Sequence, residues 1–155
     1  MPKVDVSSAP VRTTCTYPEP YDAHCNGRSK QALGDAGGLT QFGVNLTRLA
    51  PGAASAHKHW HKNEDELVYM LEGEAVLVED DGETILRVGN VAIFKAGVEK
   101  GHMLVNRGDR DAVFLEVGTR ADEEVSTYTD PEIDLKMAKA SGGSWVAYRK
   151  NGEKY

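Results

Sequence analysis

Short alternating segments broken by glycine-rich turns leave this chain few options besides an all-β fold. Between Leu39 and Leu49, Phe42, Val44 and Leu46 fall on one side of an extended chain, and Gln41, Asn45 and Thr47 on the other. That period of two marks a strand with one buried face, with the apolar side expected inward. Ala75 to Glu79 and Thr84 to Val88 flank Asp80-Asp81-Gly82-Glu83, where Asp81-Gly82 predicts a type I′ hairpin turn with positive φ at both central positions. Further strands are expected over residues 29–33, 67–71, 91–94, 102–105 and 112–117, each bounded by turn-forming residues. No helical period runs through 40–118, so a sandwich or barrel is the expected class. One helix is predicted in the tail: Asp130 as N-cap and Pro131 at the first helical position open a segment reaching about Ala140.

A length of 155 residues suits one domain able to bury a core without staples. The net charge of −6 argues against nucleic acid or an anionic membrane as partner. No apolar run approaches the roughly 20 residues of a spanning helix, and MPKVDVSSAPVRTT lacks the apolar region of a signal peptide. Cys15 and Cys25 have neither zinc nor redox spacing, and read as reduced thiols of a cytoplasmic protein. His24 beside Cys25 reads as exposed and uninvolved. Residues 1–27 carry Pro2, Pro10, Pro18 and Pro20 with no periodicity, and predict an extended arm whose YPEPY segment lies on a neighbouring surface.

Chemistry concentrates between Gly52 and Gly73. His57, His59 and His61 occupy alternate positions, followed by Glu64, Asp65 and Glu66. Residues two apart on a strand share a face with α-carbons roughly 6–7 Å apart. Two imidazoles so placed can converge on one ion at about 2.0–2.1 Å. His59 and His61 are the preferred pair, with His57 at the rim. Glu66 has the wrong parity for a straight strand, so residues 62–65 must bend the chain to return it to the ion. Lys58, Lys95 and Lys100 are read as solvated, Trp60 and Tyr69 as packing away from the site, and Met70 as flooring it.

The spacing His59-x-His61, four residues to Glu66 and six more to Gly73 resembles the first motif of the cupin superfamily. Gly89, Gly97, His102 and Asn106 resemble the second, with Lys95 where proline is usual. The strings HWHKNEDELVYMLEGE and GHMLVN are similar to those of small single-domain bacterial cupins, some of them assigned provisionally as sugar-phosphate isomerases. The resemblance implies a double-stranded β-helix (a jelly-roll barrel) over residues 28–120, after the arm at 1–27 and before a C-terminal extension at 121–155 packed on the barrel. It also implies homodimers and a divalent transition metal (Mn, Fe, Ni, Cu or Zn) held by His59, His61, Glu66 and His102.

Four protein ligands in an octahedral site leave two positions for water or substrate. The function expected is a metal-binding cupin acting on a small polar molecule, as a sugar-phosphate or hydroxycarbonyl isomerase, with Glu64 or His57 moving the proton. An Fe(II)-dependent dioxygenase and a non-catalytic small-molecule-binding module are the alternatives.

Overall fold

A computed structural model describes residues 3–155; Met1 and Pro2, the first residues of the expected arm, lie outside the described residues. The strands are β1 (Val11–Arg12), β2 (Arg28–Ala32), β3 (Phe42–Leu49), β4 (His59–His61), β5 (Glu66–Glu72), β6 (Glu74–Glu79), β7 (Gly82–Arg87), β8 (Val91–Phe94), β9 (His102–Val105), β10 (Ala112–Thr119), β11 (Glu124–Tyr128), β12 (Lys136–Lys139) and β13 (Val146–Tyr148). Among the described residues the only α-helix is one turn, α1 (Leu33–Ala36). The strands form two antiparallel sheets in the orders β1-β2-β3-β10-β5-β8 and β13-β12-β11-β4-β9-β6-β7.

The sheets face one another across a core of Leu49, Val68, Met70, Leu77, Leu86, Leu104 and Phe114, with Phe94 packed against it. Met70, predicted to floor the pocket, is fully buried in this core, and Tyr69 beside it faces outward. A second cluster, Tyr128, Ile133, Leu135 and Met137, lies under Tyr17 and Tyr21 of the N-terminal arm. The YPEPY segment therefore packs on its own chain.

Three local expectations are corrected. First, β3 presents its polar side to the interior. Thr47 is fully buried and donates to Glu116 Oε2 at 3.0 Å, whereas Val44 and Leu46 lie on the outer face. Second, the β6–β7 connection is Asp80-Asp81, and neither of these residues has positive φ, so the turn is not type I′. Third, the expected helix after Asp130 is a turn followed by β12. Ile133, Leu135 and Met137 are all buried, and their spacing of two is a strand spacing that outweighs the Asp-Pro helix signal.

Candidate metal centre

The site lies where the two sheets meet. β4 carries His59 and His61, its neighbour β9 begins at His102, and His59 stands directly opposite His102 in the ladder. Glu66 comes from the other sheet, at the start of β5. The bend over residues 62–65 brings it back. Glu124 accepts hydrogen bonds from Lys62 N–H at 2.7 Å and Asn63 N–H at 2.8 Å. Thr119 Oγ1 accepts from Asp65 N–H at 2.9 Å, and Asp65 Oδ1 accepts from Ala96 N–H at 2.8 Å.

Donor atoms of His59, His61 and Glu66 lie within 4.8 Å of one another. His59 Nε2 is 3.1 Å from His61 Nε2, His61 Nε2 is 3.5 Å from Glu66 Oε2, and His102 Nε2 is 3.2 Å from the same oxygen. The carbonyl of His57 takes the His59 Nδ1 proton at 2.8 Å, so His59 turns the lone pair of Nε2 into the cluster. The His102 ring stacks on Phe94 with centroids 3.6 Å apart. His61 Nδ1 is 3.2 Å from Ser126 Oγ and 3.7 Å from a carboxylate oxygen of the fully buried Glu124.

Burial, with the neighbouring rings His61 and His102, lowers His59 to about 3. Burial also opposes charge on His61, but the carboxylates of Glu124 and Glu66 outweigh it and raise that ring to about 10. Glu66 is held well below the ordinary carboxylate range: burial pushes the other way, and His102 and His61 prevail. Imidazole nitrogens converging on a carboxylate, with a carboxylate behind one ring, form a donor set that fits a divalent transition metal. His59, His61 and Glu66 could hold such an ion.

The cluster opens onto a cavity of about 460 Å³ whose lining includes Tyr17, Arg28, Lys30, Glu64, Glu116 and Tyr128. Glu64 Oε1 accepts from Ala121 N–H at 3.0 Å and lies 3.5 Å from Lys139 Nζ. His57 does not line the cavity. Its ring stacks on His24 at 3.9 Å and its Nε2 lies 3.0 Å from the Tyr21 carbonyl, with burial lowering its pKa. His24 is thus a stacking partner and Cys25 is buried, and both cysteines are free thiols.

Lys58 bridges Asp80 and Asp130, each at 3.0 Å, and Lys100 pairs with Glu79 and Asp81. Asn106 is a turn residue, donating to the Leu49 and Arg110 carbonyls and accepting from Gly108 N–H. Glu124 and the cavity cations Arg28 and Lys30 escaped the sequence reading. The one available signal was parity, since Arg28 and Lys30 share a face of β2.

Two facing sheets with a His, His and carboxylate cluster at their junction define a jelly-roll barrel whose cluster could hold a metal ion. The chain belongs to the cupin superfamily. A profile described as "Cupin domain" matches residues 45–118. A sugar phosphate isomerase from a cupin superfamily, from Silicibacter pomeroyi, is similar at 45% identity, with 99% of this chain and 96% of that chain covered and a TM-score of 0.93. A provisionally assigned sugar phosphate isomerase from Acidithiobacillus ferrooxidans is 28% identical over 83% of this chain and 80% of that chain, with a TM-score of 0.73. A protein from Thermotoga maritima, predicted to be an oxalate decarboxylase, is 22% identical over 77% of this chain and 99% of that chain at a TM-score of 0.61, and shares the fold. No curated protein matches the chain.

Proposed function

We propose that this protein is a metal-dependent isomerase of a small phosphorylated sugar, with His59, His61, Glu66 and His102 as the ligands. The observation that carries the reading is the cluster of His59, His61 and Glu66, with His102 Nε2 3.2 Å from Glu66 Oε2, at a polar cavity in a chain 45% identical over nearly its whole length to a protein named as a sugar phosphate isomerase. When bound, the divalent ion would polarise a carbonyl and stabilise the negative charge that develops on its oxygen. The cavity volume lies within the usual range for small-molecule sites.

Glu64 is the proton carrier in this reading. It lines the cavity, and its Oε1 is fixed by Ala121 N–H and Lys139. Its carboxylate takes the proton from the hydroxyl-bearing carbon beside the carbonyl and delivers it to the carbonyl carbon, while the hydroxyl proton passes to the former carbonyl oxygen. His57, held beneath the arm by Tyr21 and His24, orients His59 through its carbonyl.

The test is solvent deuterium exchange followed by proton NMR, using protein loaded in turn with Mn, Fe, Ni, Cu or Zn and a panel of aldoses, ketoses and their phosphates. Metal-dependent incorporation at the carbon next to the carbonyl of a phosphorylated sugar is expected. Stoichiometric metal with no exchange into any member of the panel would contradict the reading. Iron-dependent oxygen uptake would favour a dioxygenase, and a sugar phosphate that raises the melting temperature while staying unchanged would favour a binding module.

The expected macromolecular partner is a second copy of the chain. Rows of apolar side chains cross the outer face of the six-stranded sheet: Leu46, Leu115, Tyr69 and Val91 in one register, Val44, Val117, Leu67 and Ile93 in the next. Ile93 is 71% exposed. An apolar surface that crosses four strands supports docking of a like face.

A further inference from the structure

Five basic side chains line the cavity: Arg12, Arg28, Lys30, Arg120 and Lys139. Four of them have a carboxylate partner. Lys30 pairs with Glu116 at 2.5 Å and Lys139 with Glu64 at 3.5 Å. Arg120 pairs with Asp35, which Arg12 also approaches at 3.9 Å. Arg28 differs. It is only 9% exposed, and among the described residues no carboxylate oxygen lies within 4.0 Å of it.

The Arg28 guanidinium donates from Nη1 to the Ser55 carbonyl at 2.5 Å and from Nη2 to the Thr14 carbonyl at 3.5 Å. Its Nε has no partner. Neutral carbonyls satisfy some of its N–H groups but leave the positive charge uncompensated. Such a charge, nine-tenths buried, is costly unless an anion joins it.

We infer that Arg28 is the anion anchor of this cavity and takes the phosphate of the substrate. The planar guanidinium fork matches two oxygens of a tetrahedral dianion, and the charge of that ligand is the one Arg28 lacks. Thr14 and Thr16 of the arm line the same cavity, so the phosphate would sit beneath the arm while the sugar carbonyl reaches the histidine cluster. The assignment deepens the isomerase reading and names which side chain selects a phosphorylated substrate over a neutral one.

The test is isothermal titration of metal-loaded wild type, Arg28→Gln and Arg28→Lys with inorganic phosphate. Melting temperature and metal per chain are measured on each as controls for folding and for the cation site. Phosphate affinity is expected to fall about 10- to 100-fold in Arg28→Gln, the size of losing a charged hydrogen-bonding partner, and to be partly restored in Arg28→Lys. Undiminished phosphate binding by folded, metal-bearing Arg28→Gln overturns the assignment. If Arg28→Gln does not fold, Arg28→Lys decides alone, and wild-type affinity there overturns the bidentate anchor.

The two readings fail separately. Arg28-dependent phosphate binding in a protein that exchanges no deuterium into any sugar phosphate supports the anchor and removes the isomerase. Full kcat/KM of Arg28→Gln on a sugar phosphate overturns the anchor and retains the isomerase.

Discussion

Glu124 has the most consequential side chain outside the proposed ligands. Fully buried, it takes the Lys62 and Asn63 N–H groups and backs His61. Glu124→Ala leaves the Asn63 N–H without its acceptor and Lys62 N–H with only the Val125 carbonyl at 3.0 Å, and a loss of roughly 1–3 kcal/mol is expected in urea unfolding. Glu124→Gln keeps one acceptor, so the fold should persist while metal affinity, read by competition with a chromogenic chelator, drops about 10- to 100-fold. Undiminished affinity would deny Glu124 a part in orienting His61.

Asp80 offers a pH test at the same scale. Burial opposes its charge, but Gly101 N–H, Lys58 and Thr129 outweigh it and place the folded pKa below the ordinary 3.8. A depressed carboxylate stabilises the fold above its unfolded pKa, and the contribution disappears as pH falls through the folded value. Asp80→Asn should therefore destabilise by on the order of 1 kcal/mol at pH 7, a figure reduced by solvent screening at a side chain about one-third exposed. The gap to wild type should close as urea midpoints are taken below about pH 4. A pH-independent gap would assign the loss to packing.

His59 and His61 were legible from their alternate spacing, and Glu66 from the motif it resembles together with the polar bend before it, since its parity on a straight strand points the other way. Glu124 was not, since it lies far along the chain and nothing local marks a carboxylate as the anchor of a bend.

Among the elements, the β5–β6 hairpin depends on Gly73. Its φ is +67°, and an added Cβ would fall 2.4 Å from the Asp111 carbonyl oxygen. Gly73→Ala must strain or displace backbone in both β6 and the approach to β10, and is expected to lower stability by about 2–4 kcal/mol. A melting temperature equal to wild type would mean that the turn relaxes freely.

Strand positions in the barrel were legible from period two and glycine turns, because a sheet buried on one side enforces alternation. The direction of β3 was not, since hydropathy assumes a dry interior. Here Asn45 and Glu116 line a cavity and Thr47 hydrogen-bonds Glu116, so the polar face turns inward. The strand after Asp130 was hidden because its cap-like start resembles a helix signal, while the alternation of Ile133, Leu135 and Met137 was the more informative pattern.

At the scale of the molecule, the sheet that supplies Glu66 also presents the apolar rows ending at Val91 and Ile93. A dimer through that face would bury them, and Ile93→Lys, which adds a charge at an exposed position without touching the core, should shift sedimentation from dimer to monomer at unchanged melting temperature. A wild-type monomer at micromolar concentration would remove the interface.

The barrel brings together histidines from one sheet and a carboxylate from the other, and the central claim is that they grip one divalent ion. Native mass spectrometry of the wild type beside His61→Ala measures this most directly. One transition-metal ion per chain in the wild type, and none in a folded His61→Ala protein, is the predicted result. A wild type that binds no divalent metal when offered it in excess, or a variant that keeps its full complement, would contradict the account.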